Sequence, residues 1–374
     1  MDSNEKKSHR IETLYPHHCV WEITRACNMR CIHCGSSAGP LTKRPDELNT
    51  QEALDVINQL KEIGTIKVTL SGGEPFLRAD WETLAKEVVR LNMFVSFISN
   101  GFLLNEDIAG RIKRLNENTN LVRVVCLSID GDEKTHDYIR QTKGSFDKVT
   151  QAMETLRDSG LNTSVITQVN KLNLKLLPKI RDNIFKYNNI VTWQVQVATP
   201  FGRLAEDPTL LLNPGDYLEL VNFIAEQKSI FGSRIRIAHT TGSYTESEPM
   251  LIGWDGCWAG LKAVGITSNG GVTGCLSLQE PRFIEGNVRT RRLAEIWYDP
   301  NFASYNRNFR EELLEGYCKE CDHRIKCRGG CKNTAYSFSG SLHNNFYCAH
   351  RISLGEVPKE IKSTRTSGCG QYHP

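Results

Sequence analysis

The chain has 374 residues, 39% of them hydrophobic and 24% charged, with 46 basic against 43 acidic side chains for a net charge of +3. That balance is globular and near neutral, which excludes a disordered chain and supplies no field calling for nucleic acid or an anionic membrane as partner. Residues 1–10 are polar and no apolar run reaches about 18 residues, so neither a signal peptide nor a membrane span is expected and the expected location is the cytoplasm.

From residue 18 to about 200, short β-rich runs alternate with amphipathic stretches, the pattern of repeated βα units around a parallel sheet. Strands are predicted over 18–24, 66–71, 94–99, 122–129, 162–169 and 191–198. Between the first two a helix is predicted over 50–63, with Leu54, Ile57, Leu60 and Lys61 spaced at the helical period. Six such units without a dinucleotide fingerprint predict an α/β fold in the form of an open, partial (β/α)6 TIM-type barrel. A further helix is predicted around 214–227, and a Gly/Ser/Thr/Glu-rich stretch at 241–253 marks a boundary. Because cores beyond roughly 250 residues tend to split, the expected division is an N-terminal tail (1–17), the barrel (18–230), a bridge (231–256), a small C-terminal domain (257–352) and a tail (353–374).

Thirteen cysteines are many for a reducing compartment, so their spacing reads first as metal ligation. Cys27, Cys31 and Cys34 follow C-x3-C-x2-C in a polar loop after the first strand. Three thiolates can hold three irons of a cubane and leave the fourth open, although with His33 the same residues would also make a zinc site. Cys257 and Cys275 are followed by Cys318-x2-Cys321-x5-Cys327-x3-Cys331 and by Cys348. Seven cysteines exceed one tetrahedral site and suit two metal centres, a zinc ribbon being the alternative. Cys19 and Cys126, in apolar strands, read as core residues, and Cys369 reads as a free thiol on the tail.

The first triplet, followed one strand later by Ser71-Gly72-Gly73-Glu74-Pro75, resembles the radical S-adenosylmethionine (radical SAM) superfamily over about 200 residues. In that family the glycine-rich motif receives the methionyl amino group of the cofactor, so the resemblance assigns Gly72, Gly73, Glu74 and Pro75 to it. Further family-like positions are Asn100 after the third strand, expected near the cofactor's sugar, and Ser128, Asp130 and Arg140, with Ser128 and Arg140 expected to hold its carboxylate. Glycine suits such a motif because close backbone approach excludes a Cβ.

The second cysteine group resembles the SPASM domain, an extension that usually binds two auxiliary [4Fe–4S] clusters. The resemblance assigns Cys318, Cys321, Cys327 and Cys348 to one cluster and Cys257, Cys275 and Cys331 to the other, three clusters in all with the catalytic one. Where some relatives carry an extra cysteine shortly after the first, this chain reads Trp258-Ala259-Gly260-Leu261-Lys262-Ala263, so the inner cluster is expected to have an open iron, free for a substrate thiol or carboxylate, or a ligand from elsewhere, Cys369 being one candidate. Leu276 stands where sulfatase-maturing relatives have a catalytic aspartate, which disfavours that activity. The layout is most similar to short peptide maturases. The expected activity is oxidative modification of a ribosomally made precursor peptide, a C–C or thioether crosslink. A flavodoxin or ferredoxin-type reductant is expected, and a separate leader-recognition protein, since the first strand begins by His18. The alternatives are oxidation or epimerisation of a small molecule such as a tetrapyrrole or aminoglycoside, and a non-catalytic electron carrier. Glu22, Gln168, Gln194 and Gln196 are the candidates for a catalytic acid or base at the barrel mouth.

Overall fold

The computed structural model describes residues 14–40, 46–238, 256–278 and 280–356. Seven parallel strands succeed one another: β1 (His18–Thr24), β2 (Lys67–Gly72), β3 (Phe94–Ser99), β4 (Val122–Ser128), β5 (Thr163–Val169), β6 (Ile190–Val197) and β7 (Ile235–Ala238). Helices α1 (Thr50–Glu62), α2 (Trp81–Arg90), α3 (Glu106–Asn116), α4 (Glu133–Arg140), α5 (Ser145–Asp158), α6 (Leu177–Phe185) and α7 (Pro214–Phe231) connect them. The sheet is open: among the described residues its two end strands do not pair with each other.

Local chemistry accounts for these elements. Asn49 and Glu52 form a reciprocal capping box at the start of α1, satisfying two amides that the first turn leaves without helical partners. The buried face of that helix is Ala53, Val56, Ile57, Gln59 and Leu60, whereas Lys61 is exposed near its end, so Lys61 does not belong to the apolar face the sequence reading gave it. On β6, Trp193 points to the helices and packs on Phe185 and Phe223, so the alternate residues Gln194 and Gln196 lie on the opposite face, toward the hollow of the barrel.

The C-terminal segment does not pack as a separate unit. Strand β8 (Ala263–Ile266) joins β1 in parallel, and β9 (Gly271–Thr273) and β10 (Gly286–Asn287) extend the same sheet antiparallel, making ten strands. Helices α8 (Leu293–Trp297), α9 (Ser304–Arg307), α10 (Tyr317–Glu320), α11 (Arg324–Cys327), α12 (Lys332–Ser339) and α13 (Ala349–Ser353) complete it. Ile266, Leu293, Ile296, Trp297, Phe338 and Tyr347 share one hydrophobic core with the barrel residues. The buried Glu22 accepts from the Ser268 amide and hydroxyl, at 3.2 and 3.0 Å, and so ties the end of β1 to the β8–β9 turn. At the other side Tyr347 packs on Tyr217 of α7 and donates to the Leu212 carbonyl. β7 occupies the start of the segment expected as a bridge; the stretch 241–253 and Cys369 lie outside the described residues.

Candidate functional site

The loop after β1 carries Cys27, Cys31 and Cys34 over the ends of the first strands. Its shape is imposed by backbone contacts on all sides. The Cys27 amide bonds the Gly39 carbonyl at 3.2 Å, the Ile32 amide bonds the Ile139 carbonyl at 2.9 Å, and Arg203 donates through Nε to the Cys31 carbonyl at 2.7 Å. The amides of Gly73 and Glu74 donate to the carbonyls of Thr24 and Ala26, each at 2.8 Å. A Cβ on Gly72 would stand 2.2 Å from the Thr24 oxygen, and one on Gly73 2.3 Å from the Ala26 oxygen. The glycines are therefore required by the approach of the cysteine loop itself, a nearer demand than the ligand approach expected from sequence. Gly73→Ala is accordingly expected to push the loop away and to cost the chain about four irons, read as iron and acid-labile sulfide per chain after anaerobic reconstitution.

Glu74 is fully buried and faces the strand ends, its oxygens accepting from the Ser99 hydroxyl (2.9 Å) and the Asn100 amide (2.8 Å). Burial pushes its carboxyl up to about 7 against those hydrogen bonds. Its side chain links β2 to β3 as a brace, while Pro75 is buried at the start of the short turn that follows. Asn100 is brought to the triplet: its side-chain amide donates to Asn28 at 2.8 Å and reaches the Cys27 sulfur at 3.9 Å.

Asp130 is also fully buried. One oxygen accepts from Arg140 Nη2 at 2.5 Å and from His33 Nε2 at 2.8 Å, and the other accepts from the Gln168 amide at 2.9 Å. Burial alone would raise its carboxyl, but Arg140 and His33 hold it well below the usual carboxylate range. Burial also keeps His33 lowered and hence neutral, so Arg140 carries the compensating charge. With its oxygens so engaged, Asp130 orients Arg140. Arg140 in turn points Nη1 at the Cys31 sulfur, 3.8 Å away, and its buried Nε has no hydrogen-bond partner. Ser128 is half-buried at the end of β4 on the same rim. His33 meets Asp130 through Nε2, while its buried Nδ1 has no hydrogen-bond partner.

The electrostatic neighbours of the C-terminal cysteines fall in two groups. The charges felt by Cys275 are those of Cys257 and Cys331, whereas Cys348 feels Cys327 and Cys318, and Cys318 feels Cys327 and Cys321. Burial pushes Cys257 up to about 11 and Cys275 to about 12, as it pushes Cys27 to about 12. Gathered thiols this buried resist ionising on their own, and a metal centre replacing their protons resolves that conflict. Among the described residues no three thiol, imidazole or carboxylate groups are drawn together closely enough to hold one ion. Thiols are the donors that hold iron–sulfur clusters, so the chemistry of these sets fits that group. Lys332, with no exposed surface, lies between the two sets: its ammonium donates to the Arg328 carbonyl at 2.7 Å and feels Cys257, Cys327, Cys331 and Cys318.

The model of the radical SAM superfamily matches residues 21–182, and that of the SPASM iron–sulfur cluster-binding domain matches residues 257–322. The chain belongs to the radical SAM superfamily. Among its relatives, the AdoMet-dependent heme synthase of Oleidesulfovibrio alaskensis is 29% identical over 342 residues, covering 86% of this chain and 84% of that one. The mycofactocin maturase MftC of Mycobacterium tuberculosis is 29% identical over 322 residues, covering 83% and 77%. Streptococcus suis SuiB bound to its precursor peptide SuiA superposes with a TM-score of 0.68 at 17% identity, covering 88% of this chain and 75% of that one, a likeness of fold. The chain is thus a radical SAM enzyme with a SPASM domain, which together imply S-adenosylmethionine and iron–sulfur clusters as cofactors.

Sequence reasoning missed Asn28 and Arg203, which hold Asn100 and the cysteine loop; Asn28 stands inside the cysteine motif but has no ligand type to mark it, and Arg203 lies in no motif and is brought there only by the folded chain. Of the acid and base candidates, Glu22 is the brace to Ser268. Cys19 is buried as expected, while Cys126 is half-buried near Lys67.

Proposed function

We propose that this radical SAM enzyme oxidises a ribosomally made precursor peptide, forming a C–C or thioether crosslink, and works with three [4Fe–4S] clusters. Cys27, Cys31 and Cys34 hold the catalytic cluster, and the two C-terminal cysteine sets hold auxiliary ones. A cluster held there would supply one-electron reductive cleavage of S-adenosylmethionine, the chemistry by which a hydrogen atom could be taken from the substrate. The backbone at Gly72 and Gly73 and the side chains of Ser128 and Arg140 hold the cofactor's amino acid end, Asn100 lies near its sugar, and Asp130 keeps Arg140 extended toward it.

The observation that carries the peptide reading is a row of amides on the hollow side of the sheet. Gln168 stands opposite Gln196 in neighbouring strands, Gln194 Nε2 donates to Gln196 at 3.4 Å, and the Gln168 side-chain oxygen is buried without a partner. Amides both donate and accept, which matches a peptide backbone. The mycofactocin maturase relative supports the same reading. A tetrapyrrole substrate is the second reading, favoured by the equally similar heme synthases. The test is anaerobic turnover with a flavodoxin or ferredoxin-type reductant. Loss of two hydrogens from a short peptide encoded beside the enzyme, with 5′-deoxyadenosine formed in step, supports the proposal; turnover of a tetrapyrrole alone overturns it in favour of the second.

In this scheme the auxiliary clusters would accept the surplus electron, and the buried Lys332 ammonium would poise them. One charge at an effective dielectric of about 20 is worth on the order of 2 kcal/mol, or ~90 mV in a one-electron couple. Lys332→Met is therefore expected to lower the auxiliary midpoint potentials by about that amount, measured by redox titration.

A further inference from the structure

Seven cysteines leave two cubanes one ligand short, and the inner set of Cys257, Cys275 and Cys331 is the one lacking a fourth thiol. Tyr305 stands at that set. Its phenol oxygen is buried and has no hydrogen-bond partner, and the charges that act on it come from Cys257, Cys275, Glu285 and Cys331. A Cβ on Gly274 would lie 2.5 Å from that oxygen, so the phenol rests against the backbone immediately before Cys275.

The placement is built, not incidental. The neighbouring Asn306 donates to the Cys257 and Ala259 carbonyls at 2.7 and 2.8 Å, and Arg307 donates to the Gly260 carbonyl at 2.6 Å, pinning α9 to the Cys257 loop. The ring packs edge-on to Phe283 at 6.3 Å, and the Tyr305 carbonyl is bonded to the His343 ring at 2.9 Å. A buried hydroxyl left without a partner is destabilising. A group seated among these three thiols would supply the partner.

We propose that Tyr305 is the fourth protein ligand of the inner auxiliary cluster, an oxygen ligand in place of the missing cysteine. As the Fe–O bond forms the phenol O–H breaks, its proton leaves to water during cluster assembly, and no electron is transferred. Phenolate is an established ligand of iron in proteins. The inference rests on the reading that Cys257, Cys275 and Cys331 hold a cluster.

The experiment uses the full-length chain carrying Cys27/Cys31/Cys34→Ala, so that only the auxiliary sites contribute, with and without Tyr305→Phe. Iron content, resonance Raman spectra and reduction potentials are recorded after anaerobic reconstitution. The expected result is about eight irons per chain and tyrosinate ring modes enhanced by excitation in the visible. Tyr305→Phe should keep the iron, lose those modes and raise one of the two potentials while the other stays. About eight irons without tyrosinate modes would overturn the ligand assignment and leave the cluster reading standing. About four irons, none lost on adding Cys257→Ala, would overturn the cluster reading and the ligand with it.

Discussion

Asp130→Ala is expected to destabilise the protein by about 3–5 kcal/mol and to abolish binding of S-adenosylmethionine. The carboxylate is fully buried and is shared by Arg140 at 2.5 Å and His33 at 2.8 Å. Removing it leaves the Arg140 guanidinium as an uncompensated buried charge, which costs more than the pair is worth in net stability. The effect reaches the site because Arg140 is the group that approaches the Cys31 sulfur, at 3.8 Å. Asp130→Asn should retain a share of the stability, since an amide oxygen still accepts from Arg140, yet bind the cofactor weakly because the guanidinium is no longer held by a charge. Urea unfolding of both variants, with equilibrium dialysis of S-adenosylmethionine, checks this. Wild-type affinity in Asp130→Ala would show that Arg140 needs no positioning.

A chain ending at residue 256 is expected to be insoluble, or to melt without cooperativity. Strand β1 would lose its partner β8 and expose an edge of unpaired amides and carbonyls, a template for aggregation. The shared core would lose Val264, Ile266, Leu293, Ile296, Trp297, Phe302, Phe338 and Tyr347 together, and Glu22 would lose Ser268. The exposed ion pairs across the same junction, Arg289–Glu52 and Arg292–Glu62, each at 2.7 Å, add little. Circular dichroism and the melting curve of the truncated chain decide. A soluble, cooperatively folded barrel would restore the two-domain division that the sequence suggests.

The parallel strands were legible because each is a long apolar run bounded by turn residues. The first and third match their predicted bounds, and the other four differ by one residue at one or both ends. β7 to β10 were not, being two to four residues long with too few positions to show alternation. The junction of β8 with β1 joins residues some 245 positions apart, for example His18 with Ala263, and no local pattern announces it. In the site, the cysteines and the Gly-Gly-Glu-Pro run stand out by type and spacing. Their individual roles do not: Glu74 and Asp130 lie in recognisable motifs, yet burial turns both inward as supports. Tyr305 is one aromatic residue among many until the fold sets its hydroxyl beside three thiols.

The most direct test of the central claim is iron and acid-labile sulfide per chain after anaerobic reconstitution, measured with 5′-deoxyadenosine formation under reducing conditions. The wild type and Cys27/Cys31/Cys34→Ala should be compared. The account predicts about twelve irons in the wild type and about eight in the variant, with cleavage of S-adenosylmethionine lost in the variant alone. About four irons falling to none, with zinc at the C-terminal cysteines, would contradict it and reduce that segment to a structural clip.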